Sequence, residues 1–140
     1  MIATVEAPPA LGPYAQAVKV DNVVYVSGQL PLDPKTRTMV SGNIAAQTER
    51  VLENIRAILD EAEANLDDIV KVTIYMLDLE QFEEMNRVYT LFFPTREDAP
   101  NLLPARVTVQ VARLPKDSLI EMDAIAVISR QRPDPEIFSG

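Results

Sequence analysis

Two short runs of β-branched and aromatic residues near the N-terminus predict a β-hairpin. Residues 17–20 and residues 23–26 are separated only by Asp21 and Asn22, which tolerate the positive φ angles of a tight turn. The second run leads into a segment with several prolines, starting at Pro31, so we expect irregular chain as far as the first helix.

Apolar residues recur at three-to-four spacing in two later segments, which predicts two amphipathic helices. The first begins after a plausible N-cap at Asn43 and continues through Glu63. The second extends from about Leu79 to Phe93, where Pro94 ends it. Its predicted apolar face consists of Phe82, Met85, Val88, Tyr89 and Phe92.

Three further segments alternate between apolar and polar residues and predict strands, at residues 69–77, 106–111 and 119–128. The short turn between the last two suggests a final hairpin that pairs Val111 with Leu119. The order β-β-α-β-α-β-β then argues for an α+β fold in which a single sheet carries both helices on one face.

We see one domain boundary, close to the C-terminus. Residues 1–128 contain every predicted element, whereas residues 129–140 hold Pro133 and Pro135 and few apolar residues. We therefore expect a single domain followed by an extended tail. A chain of 140 residues is long enough for one well-formed core and too short for two.

The residue types that are missing exclude most familiar catalytic sites. The chain has no His, Cys or Trp, so it cannot form a Ser-His-Asp triad, a cysteine nucleophile, a disulfide or a His- or thiolate-ligated metal site. Carboxylates, Arg, Lys, Tyr, hydroxyls and bound water remain for chemistry. We expect no metal and no cofactor.

Charge and the N-terminal sequence indicate which class of partner and which cellular location to expect. A formal net charge of -8 repels phosphate backbones, and the basic residues form no patch, so we do not expect nucleic acid as a partner. The first ten residues have no basic region and no long apolar run. We expect a cytoplasmic protein without a membrane segment.

Two polar residues in the predicted final hairpin are candidates for chemistry. With Val111 paired to Leu119, Arg106 falls opposite Ala124, and Glu121 lies three residues away, about 10 Å along the strand. Arg106 is either an ordinary surface residue or a planar clamp for a carboxylate. Glu121 is either solvent-facing or a half-buried carboxylate.

Several segments closely resemble the RidA (YjgF) family of reactive-intermediate deaminases. The stretch from Pro104 to Ala126 (PARVTVQVARLPKDSLIEMDAIA) carries most of the resemblance. Residues 12–18 (GPYAQAV) are similar to the N-terminal box of the family, residues 26–31 (VSGQLP) to its first-strand exit, and residues 82–93 to its second helix. The resemblance covers about residues 7–127.

The resemblance implies a chorismate-mutase-like fold, a homotrimer with clefts between subunits, and hydrolysis of enamine or imine acids such as 2-aminoacrylate and 2-aminocrotonate to 2-oxo acids and ammonia. By position, Arg106 matches the arginine that holds the substrate carboxylate, and Glu121 matches the glutamate associated with the attacking water. The matching substrate-binding positions are Tyr14, Ser27, Gly28, Asn86 and Thr108.

This chemistry is compatible with the missing residue types, because an imine carbon beside a carboxylate is already electrophilic. Positioning of the substrate and a water by Arg106 and Glu121 then provides much of the catalysis. Tyr14 is either a cleft wall that supplies a phenol hydrogen bond or a half-buried aromatic residue beside Pro13.

Two other functions stay open at this point. A non-catalytic trimer that binds small 2-oxo or amino acids would use the same arginine. Ribonuclease activity is attributed to some members, but the net charge and the absence of His oppose it here.

The chain also departs from the family pattern: residues 94–103 form a longer loop, Asp123 replaces the usual Glu, and the tail is longer.

Overall fold

The predicted order of elements is confirmed in the computed structural model, which describes residues 1–95 and 102–128. The predicted tail at 129–140 and most of the long loop at 94–103 lie outside these residues. The strands are β1 (Ala17–Val20), β2 (Val23–Gln29), β3 (Ile69–Met76), β4 (Ala105–Gln110) and β5 (Ile120–Val127). The helices are α1 (Ile44–Glu61) and α2 (Phe82–Phe92).

Local signals placed the ends of these elements well. Asp21 has a φ of 54° in the turn between β1 and β2, as the predicted hairpin requires. Asn43 caps α1, since its side chain accepts a hydrogen bond from the amide of Ala46 at 3.1 Å. The helix ends at Glu61 rather than Glu63, which has a left-handed φ of 60°. A short 3₁₀ turn precedes α2.

The five strands form one mixed sheet in the order β1-β2-β5-β3-β4. β3 and β4 are parallel, and all other neighbouring strands are antiparallel. Because α2 provides a crossover between β3 and β4, the parallel arrangement follows directly from the element order. β4 forms one edge of the sheet.

The predicted final hairpin is therefore wrong, because β3 lies between β4 and β5. The amide of Val111 donates to the carbonyl of Met76 at 2.9 Å, and the carbonyl of Leu119 accepts from the amide of Leu77 at 3.1 Å. Both predicted partners thus bond to the end of β3 instead of to each other. The spacing between the two strands suited a hairpin, but in the folded chain both strands pair with β3 instead.

Both helices cover the same face of the sheet and share one hydrophobic core with it. The buried face of α1 packs against β2, β5 and α2. Along β5 every second residue is buried, which is the pattern of a strand with only one face in the core. None of the helices in the described ranges is long and apolar enough to cross a bilayer.

The opposite face of the sheet, which we call the open face, has no covering element in the described chain. Its rows of side chains run from β1 to β4 across the paired residues of neighbouring strands. Exposed apolar side chains lie along it, at Val18, Val20, Tyr25, Val107 and Val109. An apolar surface of this kind is typical of a face that another molecule covers.

Candidate active site

Arg106 lies on the helix side of the sheet, where strand β4 and helix α2 meet. In the strand register it stands beside the buried Val72. Its Nη1 atom donates a hydrogen bond to Oδ1 of Asn86 at 2.6 Å. Its guanidinium carbon lies 4.8 Å from the ring centre of Tyr89 and 5.4 Å from that of Phe82. Strand β4 supplies the cation, and one face of α2 supplies its surroundings.

The charge of Arg106 is not neutralised within the part of the chain that the structure describes. The ion pairs found there join other residues, and all of them lie on the surface. Asn86 is a neutral acceptor and uses one of the five guanidinium N–H donors. The remaining donors suit a bidentate contact with a carboxylate.

Two hydroxyl groups near Arg106 are buried and make no hydrogen bond of good geometry in the described structure. One is Oγ1 of Thr108, which follows Arg106 on the same face of β4, and the other is Oη of Tyr89. Burial raises the pKa of Tyr89 to about 12, although the guanidinium of Arg106 acts in the opposite direction. The phenol therefore stays protonated at neutral pH.

Glu121 lies on the open face, on β5 beside Tyr75 of β3. Burial raises the pKa of Glu121, and the neighbouring charge of Asp123 raises it further. Oη of Tyr75 donates a hydrogen bond to Oδ2 of Asp123 at 2.9 Å. Glu121 is thus a half-buried carboxylate with increased proton affinity, which suits a group that accepts and returns a proton.

Gly28 packs directly against Glu121. A Cβ atom added to Gly28 would collide with Oε2 of Glu121 and would lie 2.9 Å from its Cδ. Ser27 beside it donates from Oγ to the carbonyl of Ala15 at 2.6 Å. Tyr14 is half exposed and shares with Gly28 a cavity of about 20 Å³, which is room for one water molecule.

The structure therefore brings the sequence-predicted residues together in two groups. The arginine half-site contains Arg106, Asn86 and Thr108, and the glutamate half-site contains Tyr14, Ser27, Gly28 and Glu121. Within the glutamate half-site, Gly28 contacts Glu121, and Tyr14 is connected to them only through the cavity that it lines together with Gly28.

The two half-sites do not meet within one chain. Arg106 was predicted to lie directly opposite Ala124, which is wrong, because Val72 of β3 lies between them in the same row of the sheet. Glu121 is an odd number of residues from Ala124, so its side chain points to the opposite face. The geometry of a sheet separates the two by about 10 Å along the strands and about 10 Å across them.

Sequence reasoning missed four residues that surround the predicted ones. Phe82 and Tyr89 were assigned to the hydrophobic face of the second helix, and Tyr75 and Asp123 were given no role. Phe82, Asn86 and Tyr89 follow each other at intervals of four and three residues, so they share one helix face. The signal was the polar Asn86 within an apolar stripe.

The described residues contain no group of three or more acidic side chains arranged to hold a metal ion.

Comparison with known proteins gives a consistent result. Residues 4–128 match the model of the family described as Endoribonuclease L-PSP. The chain is 54% identical over 126 residues to a RutC family protein of Pyrococcus abyssi, a match that covers 90% of this chain and 94% of that protein. It is 48% identical over 126 residues to a 2-iminobutanoate/2-iminopropanoate deaminase of Salmonella typhimurium, covering 90% and 95%. The crystal structure of RidA from an Antarctic Psychrobacter superposes with a TM-score of 0.82 at 44% identity, covering 91% of this chain and 98% of that one.

Proposed function

The chain belongs to the RidA (YjgF) family, and on this premise we propose that it hydrolyses 2-imino and 2-enamino acids to 2-oxo acids and ammonia. Relatives at 47–48% identity carry the name 2-iminobutanoate/2-iminopropanoate deaminase. Small substrates such as 2-aminoacrylate and 2-aminocrotonate, in their imine forms, suit the proposed site.

One observation supports the proposal most strongly, and it concerns Arg106. Its guanidinium is half-buried and contacts a neutral amide and two aromatic rings, while no carboxylate of the described chain pairs with it. A cation in such surroundings attracts an anion, and its planar donors match a carboxylate. The unpartnered hydroxyl of Thr108 offers a further hydrogen bond to the bound acid.

In the proposed reaction, Glu121 acts on the water that attacks the imine carbon. The carboxylate of Glu121 accepts a proton from the water as the water oxygen bonds to that carbon, and it returns this proton to the nitrogen, which gives a carbinolamine. The hydroxyl proton of the carbinolamine then passes to the amine, the C–N bond breaks, ammonia leaves, and the oxygen becomes the carbonyl of the 2-oxo acid. The raised pKa of Glu121 increases the proton affinity of its carboxylate, which helps it to accept the proton of the water and to return it to the nitrogen.

We also propose that the cleft forms between neighbouring copies of the chain, in a homotrimer. The arginine and glutamate half-sites lie on opposite faces of one sheet, so a single chain cannot place both on one small substrate. The apolar residues of the open face give a second copy a surface to cover. Arg106 of one copy then faces Glu121 of the next.

The test is steady-state hydrolysis of freshly generated 2-aminocrotonate by the wild type and by Arg106→Ala. Loss of a charged hydrogen-bonding partner predicts a decrease in kcat/KM of roughly 30-fold or more. Arg87→Ala is the matched control, since Arg87 is an exposed arginine of α2 that pairs with Glu84. Full activity of Arg106→Ala would contradict the proposal. A wild type that binds 2-oxobutyrate but hydrolyses no imine would indicate a binding protein instead.

The family description also names an endoribonuclease, but this chain carries a net charge of -8 and has no His. Its charge opposes RNA binding, and it lacks the usual acid–base side chain. RNA cleavage by the purified wild type that disappears in Arg106→Ala would reverse this preference.

A further inference from the structure

We infer that Phe82 and Tyr89 are positioning residues whose rings hold the guanidinium of Arg106 in the orientation that receives a carboxylate. The inference rests on the proposed function for the identity of the ligand. The orientation of Arg106 itself is a property of the unliganded protein and can be measured separately.

The contacts define what each neighbour does. Asn86 fixes one end of the guanidinium through its 2.6 Å hydrogen bond. The two rings face the guanidinium carbon at 4.8 and 5.4 Å, within the range of cation–π attraction. All three neighbours come from one face of α2, so a single rigid element surrounds the end of the arginine side chain.

The location of Arg106 makes such support necessary. β4 is an edge strand that pairs only with β3, and an arginine has many rotamers to lose when it binds a ligand. If the side chain becomes ordered only when the ligand binds, the lost rotamer entropy weakens affinity. If the side chain is already ordered in the free protein, binding does not carry that cost. Tyr89 is 7% exposed, so its ring is itself held by packing.

A role in the core alone does not require aromatic rings at these two positions. Aliphatic side chains would fill the same space without presenting ring faces to a guanidinium. The ring next to a half-buried cation gives this position a second purpose. The helix also offers an internal comparison, because Phe92 lies 5.0 Å from the guanidinium carbon of Arg56, outside either half-site.

The experiment uses the full chain with four single substitutions. Tyr89→Leu and Phe82→Leu each remove one ring beside Arg106, and Tyr89→Phe keeps the ring while removing only the hydroxyl. Phe92→Leu is the matched control, since it removes a ring from the other arginine. Thermal melting first establishes that each variant is folded.

Two measurements are then made. The NMR order parameter of the Arg106 Nε–Hε bond is recorded without ligand, and the dissociation constant of 2-oxobutyrate is measured by calorimetry. We expect Tyr89→Leu and Phe82→Leu to lower the order parameter and to weaken binding by about 3- to 10-fold, which corresponds to the entropy of fixing one side chain. Tyr89→Phe keeps the ring, so it should change both less than Tyr89→Leu does, and Phe92→Leu should resemble the wild type in both.

The outcomes separate this inference from the proposed function. If folded Tyr89→Leu and Phe82→Leu keep the order parameter of the wild type, the positioning role is refuted whether or not the enzyme is active. An equal loss of affinity in Tyr89→Phe would also refute it, because the hydroxyl rather than the ring would be responsible. If Arg106 is ordered in the wild type and the wild type neither binds 2-oxobutyrate nor hydrolyses an imine, the proposed function fails instead.

Discussion

Gly28→Ala is expected to damage the glutamate half-site while leaving the backbone unstrained. The φ angle of Gly28 is not left-handed, so alanine fits the local conformation. The added Cβ, however, would occupy space taken by Oε2 of Glu121 and would approach its Cδ to 2.9 Å. The carboxylate must therefore move.

The size of the movement follows from ordinary contact distances. Carbon atoms prefer separations of about 3.5–4.0 Å, so the carboxylate carbon of Glu121 has to retreat by roughly 0.6–1.1 Å. A misplacement of about 1 Å in a catalytic group lowers activity on the order of 100-fold. Because the displaced group is the end of a flexible, half-buried side chain, the free energy of unfolding should change little.

The assay compares kcat/KM for 2-aminocrotonate and the free energy of unfolding in urea. Gly12→Ala is the matched control, because a Cβ at Gly12 would lie 3.5 Å from the ring of Tyr14, an ordinary contact. A double-mutant cycle with Glu121→Ala then isolates the mechanism. Gly28→Ala should have little further effect on activity once the carboxylate is absent, and an undiminished effect in that background would refute the reasoning.

Three further predictions follow from the same contacts. Arg106→Lys keeps the charge but loses the planar pair of donors, so KM for the imine should increase about 10-fold or more in steady-state kinetics, and an unchanged KM would argue against a bidentate contact. Asp123→Asn removes a charge that raises the pKa of Glu121. The acidic limb of the pH profile of kcat/KM, where activity appears as Glu121 loses its proton, should therefore move to lower pH. Because Glu121 remains buried, the limb should still lie above the ordinary pKa of a glutamate. Asn54→Ala should destabilise the fold by roughly 2–4 kcal/mol in urea unfolding, because the buried Asn54 side chain donates to two backbone carbonyls in the loop after β2 at 3.0 and 3.1 Å.

Short-range patterns predicted most of the fold, because the physics that they report is local. The N-cap at Asn43 and the turn at Asp21 depend on a few neighbouring residues, and both are present. The pairing of Val111 with Leu119 depends instead on a competitor more than thirty residues away, the end of β3. Strand periodicity cannot rank such partners, since it carries no information on sheet order.

Periodicity also identifies which residues share a face without identifying what covers that face. The alternation along β4 places Arg106 and Thr108 on one face of the strand and the valines on the other. The structure then shows that the polar pair lies on the helix side, whereas Val107 and Val109 lie on the open face. An edge strand can have its polar residues on the helix side and its apolar residues on the open face, because α2 leaves room for an arginine beside β4.

The candidate site was predicted from the resemblance of whole motifs rather than from spacing. Spacing alone left Arg106 and Glu121 undecided, and it gave no role to the aromatic residues next to Arg106. Phe82 and Tyr89 have the spacing of core residues and also pack against the core. Their second contact, with a cation on another strand, depends on the tertiary fold and has no local signature.

The most direct test of a site shared between neighbouring copies is the activity of mixed assemblies of two inactive variants. Arg106→Ala and Glu121→Gln are purified separately, mixed in equal amounts, unfolded and refolded together, and assayed with 2-aminocrotonate. If Arg106 of one copy works with Glu121 of the next, random assembly in a closed ring gives about one quarter of the sites both intact residues. Activity should therefore return to about one quarter of the wild-type value, whereas activity no higher than that of each variant refolded alone would contradict a site shared between copies.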